Sequence, residues 1–284
     1  MTLFLVGVIF VGWALAYAYG DQTFLYGAII VSLIANISSY WYADKVALAV
    51  SRAHPADEKS YLQLHHLVEN ISITAGIQKP AVYIINDPSP NAFATGRNPK
   101  HSSLAFTTGL LERLDKTELE GVVAHELSHV KNYDILLSTA VVVLVGVISM
   151  MTDFFMRSLW WRGNSRDDRN NQAGNLFVII GIALAVISPL LATLVQLAIS
   201  RKRELLADAS GVLLTRYPEG LANALEKIST AAPLAHATNA TAHLFIANPF
   251  KADVTGNKKT PWMARLFMTH PPIEERIAAL RAMK

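Results

Sequence analysis

Four apolar stretches, at about Thr2–Tyr19, Phe24–Tyr42, Ile135–Met156 and Leu176–Ser200, leave this chain few ways to fold. A helix crosses a bilayer with roughly 20 mostly apolar residues, and each stretch comes close to that length. Composition agrees, with 52% hydrophobic residues and a mean hydropathy of +0.29, unusually apolar for a soluble chain. Asp153 sits near the end of the third stretch and Pro189 inside the fourth. A proline is tolerated in a span where a neighbour satisfies the freed carbonyl. Four transmembrane helices are therefore expected, with polar blocks between and after them.

Ala14-Leu15-Ala16 resembles a signal cleavage site, but no Lys or Arg precedes the first apolar run. The short Gly20-Asp21-Gln22-Thr23 link and the second run behind it read instead as a retained hairpin of two spans. The expected organisation is a hairpin over 1–43, a polar part over 44–134, spans three and four over 135–200, and a second polar part over 201–284. Most Lys and Arg fall between Lys45 and Lys131 or after Arg201, which places both polar parts in the cytoplasm. The connection carrying Arg157, Arg162, Arg166 and Arg169 disagrees with that rule, and spans three and four that do not cross fully are the alternative.

The first polar part reads as helices over Lys45–His54 and Pro55–Ala75, the second stopped by Gly76. A β-rich run at Ala81–Asn86 follows, then Asn91–Gly96 and Ser103–Thr107 pairing across Arg97-Asn98-Pro99-Lys100. Later helices are expected near Arg201–Arg216, Pro218–Thr230 and Pro271–Met283, with loops around Pro233–Thr260.

After the hairpin comes His125-Glu126-Leu127-Ser128-His129. On a helix, i and i+4 share a face, so the two imidazoles can share one cation. Glu126 lies beside them without having to ligate, which suits a general base acting on water at the metal. The helical context is present: Thr117-Glu118-Leu119-Glu120 fits a capping box, and Leu119, Val122, Val123, Leu127 and Val130 recur at helical spacing.

Catalytic zinc takes three protein ligands, and the chain has no cysteine to supply one. Glu204 is the best candidate, with Asp208 one turn on, placed to accept a hydrogen bond from a ligand imidazole. The same residues also read as a charged membrane flank, Arg201-Lys202-Arg203-Glu204.

Taken together, these residues resemble the HtpX-type membrane zinc endopeptidases, relatives of the CAAX prenyl proteases. The likeness rests on four motifs in order. They are Asn91–Gly96, His125–Asn132 with Asp134, Arg203-Glu204 leading to Ala207-Asp208, and the tail Thr269–Ile277. It implies an α+β protein in which four transmembrane helices carry a mainly helical zinc-protease domain with a small antiparallel sheet. It further implies zinc on His125, His129 and Glu204, with Glu126 as catalytic base. It points to Asn91, Ala92, Phe93 and Ala94 as the place where an extended peptide adds to a strand edge. A plain hairpin with Phe93 in the core accounts for that stretch equally well. The resemblance also sets His270 near the site as an oxyanion donor, whereas a turn residue before the last helix is the simpler reading.

The function expected is hydrolysis of peptide bonds in misfolded or damaged membrane proteins, in a bacterial inner membrane, with the site facing the cytoplasm. Partners are then the lipid bilayer and polypeptides. A formal charge of +3 without a basic aromatic stripe argues against nucleic acid, and no phosphate-cradling glycine loop argues for nucleotide. Absence of cysteine excludes a thiol nucleophile. A non-enzymatic membrane scaffold with a structural zinc is the alternative, although a structural site has no use for Glu126.

Overall fold

The computed structural model describes residues 2–139, 201–231, 245–246 and 271–283. The apolar stretches after residue 139, the arginine-bearing connection, His270 and all of 233–260 except 245–246 lie outside the described residues.

The first two apolar stretches form helices α1 (Thr2–Tyr19) and α2 (Thr23–Val50), which pack on each other. Gly12 permits the approach, because a Cβ there would run into Ala28. Helix α2 absorbs both the second apolar stretch and the helix expected from Lys45. It bends by 71° between Ser38 and Tyr40, and its two parts together are long and apolar enough for a crossing. No single helix among the described residues is, so they do not confirm the four separate spans expected. The bend turns Ala47 and Leu48 onto the catalytic sheet, where both are buried. On the other part of α2, Ile30, Ile34 and Ile37 are 57%, 60% and 60% exposed, a continuous apolar stripe that marks a membrane or partner face.

The sheet has four strands: β1 (His54–Pro55), β2 (Ala81–Ile85), β3 (Ala92–Asn98) and β4 (His101–Thr107), in the order β1-β2-β4-β3. It is mixed, not antiparallel as expected: β3 and β4 form the antiparallel hairpin, but β4 runs parallel to β2. The reason lies in where the hairpin enters. Leu104, Ala105 and Phe106 are fully buried on both faces, so β4 takes the inner place beside β2 and leaves β3 at the edge. Pro99-Lys100 makes the turn, with Asn98 Oδ1 accepting from the Lys100 and His101 amides.

One face of the sheet packs Val82, Ile84, Ala92, Ala94, Leu104 and Phe106 against α3 (Leu62–Ala75) and α5 (Lys116–Lys131), which follows the short α4 (Thr108–Arg113). The other packs Ile85, Phe93 and Ala105 against Ala47 and Leu48 of α2. Full burial of Leu104 or Phe106 contributes about 1.5–3 kcal/mol each.

Helix α3 starts at Leu62, not at Pro55. His54 and Pro55 pair with Ile84 and Tyr83, and a turn closed by Asp57 over Ser60 and Tyr61 intervenes. Buried His65 donates from Nε2 to the Ala56 carbonyl and so ties α3 to that strand. Gly76 stops α3 as expected, at φ 70°. The capping box of α5 sits two residues earlier than the sequence pattern suggested. Asp115 accepts from the Glu118 amide at 2.9 Å, and Glu118 accepts from the Asp115 amide at 2.9 Å. The Thr117 hydroxyl and the Glu118 N–H hold the Asp115 carboxyl below the usual range.

Helices α6 (Arg201–Thr215), α7 (Pro218–Ser229) and α8 (Ile273–Ala282) pack behind α5. Lys227 of α7 reaches Glu118 at 2.7 Å. Two glycines set the spacing. A Cβ on Gly121 would lie 2.6 Å from the Leu221 amide of α7, and one on Gly211 would lie 3.1 Å from the His125 amide. Gly121→Ala therefore forces α5 and α7 apart. It should lower unfolding stability by about 1–3 kcal/mol in denaturant titration of the solubilised protein.

Candidate metal centre

His125, Glu126 and His129 lie on consecutive turns of α5, and Glu204 and Asp208 face them from the first two turns of α6. All except His129 are less than a twentieth exposed. The ligand atoms converge: His125 Nε2 is 3.2 Å from His129 Nε2, and Glu204 oxygens lie 3.8 and 3.4 Å from those two nitrogens. Ligands about 2.0–2.1 Å from a tetrahedral zinc stand about 3.3 Å apart, so the spacing fits that ion. Two imidazoles and one carboxylate are also the donor types of a catalytic zinc site that keeps a position for water. Among the described residues, His125, His129 and Glu204 are a group that could hold a metal ion.

Each imidazole is oriented from behind. His125 Nδ1 is 2.9 Å from Asp208 Oδ1, and His129 Nδ1 is 3.0 Å from Asp134 Oδ2. Both carboxylates are held in turn. Arg276 of α8 donates from Nε and Nη2 to Asp208 at 2.9 and 2.6 Å, and Arg203 donates to Asp134 at 2.8 Å. The fully buried Arg276 also lies 3.4 Å from Glu204. Tyr133, at φ 61°, makes the sharp turn after α5 that brings Asp134 back under His129.

Electrostatics separates the two histidines. Burial, and then the Arg276 charge, push His125 down to about 4, so it presents a neutral nitrogen. Burial also acts against charge on His129, but the Asp134 and Glu204 carboxylates overcome it and hold His129 up at about 10. Glu126 is raised to about 7, mainly by burial, despite an Ala94 N–H that donates to its carboxylate. A carboxyl near neutrality can both take and return a proton. Burial would raise Asp208, yet the Arg276 guanidinium brings it down to about 2.

The Asn91–Ala94 stretch runs at the sheet edge beside this helix. Phe93 points into the core, edge-on to Phe245 with ring centres 5.2 Å apart. The backbone is what faces the site, since Ala94 meets Glu126 through its amide. The Ala92 carbonyl accepts from the Ile246 amide, and Thr139 takes the Gly96 amide. His270 lies outside the described residues. Sequence reasoning assigned no role to Asp134 or Arg276. For Arg276 the signal was present: it shares with Ile273 and Leu280 the face of α8 that packs inward.

A model of peptidase family M48 matches residues 58–284. A protease HtpX homolog of Caldanaerobacter subterraneus subsp. tengcongensis is 44% identical over 286 aligned positions, covering 100% of this chain and 91% of the relative. Another, from Thermoanaerobacter pseudethanolicus, is 45% identical with the same coverage. Among solved structures, the crystal structure of S. mikatae Ste24p is similar in fold, with a TM-score of 0.53 and 16% identity. That likeness covers 99% of this chain and 67% of the other. With the family match over most of its length and full-length relatives well above 30% identity, the chain belongs to peptidase family M48 and is a metalloprotease.

Proposed function

We propose that this chain is a membrane-embedded, zinc-dependent endopeptidase that cleaves misfolded or damaged membrane proteins. The observation that carries the reading is the convergence of His125, His129 and Glu204 beside a buried Glu126 raised to about 7. His125, His129 and Glu204 hold the ion, and Asp208 keeps the His125 ring in place. Bound there, zinc supplies a Lewis acid that polarises the scissile carbonyl and acidifies water. Glu126 takes the proton of the attacking water and passes it to the leaving nitrogen, so no net proton is consumed at the carboxylate. His270 donates to the oxyanion that develops on the substrate. Asn91, Ala92, Phe93 and Ala94 offer a strand edge to the substrate, so recognition runs through backbone groups and sequence preference is broad.

Two parts, 44–134 and 201–284, build the catalytic domain, and 135–200 joins them as spans three and four. The exposed apolar stripe of α2 supports seating in a bilayer, and the distribution of Lys and Arg supports a site on the cytoplasmic side of a bacterial inner membrane. Such a site serves membrane protein quality control under stress.

The test is proteolysis of an unfolded model protein by the zinc-loaded, detergent-solubilised enzyme, with metal content checked in each sample. Glu126→Gln should retain zinc and lose about 10²–10⁴-fold in rate. Equal cleavage by both forms refutes the assignment of the base.

Two further results follow from the ring-orienting carboxylates. Asp208→Asn should weaken zinc binding by about 10–100-fold, read by competition with a chromogenic chelator. In the wild type the metal must displace the proton that His129 holds up to about 10. The raised value favours the protonated, metal-free form at neutral pH. Apparent zinc affinity should therefore fall as pH is lowered from about 9 to 6, by up to about tenfold per unit.

A further inference from the structure

The tip of the β3–β4 hairpin meets the bend of α2 with its cations unpaired. The Arg97 guanidinium, at the end of β3, lies 4.3 Å from the Trp41 ring centre and 6.0 Å from that of Tyr40. The two rings meet edge-on, 5.3 Å apart, so the cation is lodged against a corner of aromatic surface. Lys45 stands one turn beyond Trp41 on the same face of α2, its ammonium 5.5 Å over the Tyr42 ring. Lys100 is exposed in the hairpin turn. Among the described residues no carboxylate pairs with Arg97, Lys45 or Lys100. Asp44 is the one acid in the Tyr40–Val50 part of α2, and the 97–101 turn has none. A guanidinium that stacks by its flat face keeps the N–H donors along its edge free, in the fork that matches a phosphate.

The surroundings say what meets those donors. Thr23–Ser38, before the bend, has no charged residue and carries the exposed Ile30, Ile34 and Ile37. Tyr40, Trp41 and Tyr42 follow at once, all exposed. Apolar helix, then tyrosine and tryptophan, then basic side chains is the order met on leaving a bilayer core through its headgroups. The opposite end of the α1–α2 hairpin differs, since its Gly20-Asp21-Gln22 link carries an acid and no cation. The charge asymmetry fits an anionic leaflet on the side of Arg97.

We propose that Arg97 and Lys45, on their Trp41 and Tyr42 platforms, form a binding site for the headgroup phosphate of an anionic phospholipid. The site goes beyond the peptidase reading and rests only on its membrane seating. Arg97 takes the phosphate through two N–H groups, Lys45 adds a point charge, and the acyl chains lie along the apolar stripe of α2. A zwitterionic lipid brings its own ammonium and gains little from the pair. Each basic residue at an anionic surface strengthens attachment about fivefold.

The test is native mass spectrometry of the full-length, zinc-loaded protein in neutral detergent, titrated with dioleoyl phosphatidylglycerol or dioleoyl phosphatidylcholine. The first phosphatidylglycerol should bind about 25-fold more tightly than phosphatidylcholine. Arg97→Ala and Lys45→Ala should each weaken it about fivefold without changing phosphatidylcholine. Lys45 is exposed on a helix, so its variant decides should Arg97→Ala fail to fold. Lys59→Ala, which follows β1 at the far edge of the sheet, should leave both lipids unchanged. Equal binding of the two lipids, unaltered phosphatidylglycerol binding in the Lys45 variant, or an equal loss in Lys59→Ala overturns the site. Displacement by an equimolar amount of inorganic phosphate overturns the lipid as occupant. Partition of the same samples in Triton X-114 separates the two readings. Protein in the aqueous phase removes the membrane seating and the site with it, whereas protein in the detergent phase without lipid preference removes the site alone.

Discussion

The buried pair between Asp208 and Arg276 is the contact on which the centre depends. It joins α6 to α8, with a carboxylate held at two nitrogens and both side chains fully out of solvent. A buried ion pair is weak evidence for stability by itself, but losing one partner strands the other charge and costs about 3–5 kcal/mol. Here the loss would spread. Asp208 sets the ring of His125, and Arg276 lies against Glu204 and holds the Ile246 carbonyl. One ion pair therefore fixes a metal ligand, steadies a second and shapes the strand edge. The equivalent support under His129 comes from Asp134 and Arg203, which is less enclosed: the Arg203 side chain is 41% exposed.

Much of the site was legible because its chemistry is written at helical spacing. His125 and His129 share a face for the same reason that Glu204 and Asp208 do, and two helices facing each other bring the four together. The hairpin was legible from its turn residues. What the sequence did not carry was the partner of each element. Nothing local says that β4 pairs with β2 in parallel; that follows from β4 being apolar on both faces and needing cover on both edges. Pro55 is as good a helix start as a strand residue, and pairing with Tyr83 decides between them. Asp115 and Thr117 are both competent caps; Lys227, arriving from α7, favours the box that uses Glu118.

The two residues that the sequence motifs include without a role, Arg276 and Asp134, illustrate the same limit. Arg276 sits on the inward face of a short helix, where an arginine needs a counter-charge, and its counter-charge is 68 residues away. Asp134 is only five residues from His129, yet a left-handed Tyr133 stands between them, and that backbone turn is invisible to a spacing rule. Long-range charge pairing and sharp turns are the features that a linear pattern hides.

Helix α2 has a consequence of another kind. Beyond its bend, Ala47 and Leu48 are part of the packing under Phe93 and Ala105, and Arg97 at the end of β3 lies 4.3 Å over the Trp41 ring. The apolar N-terminal region is then a wall of the catalytic sheet. A displacement of α2 relative to the sheet would therefore disturb the packing under the strand that borders Glu126.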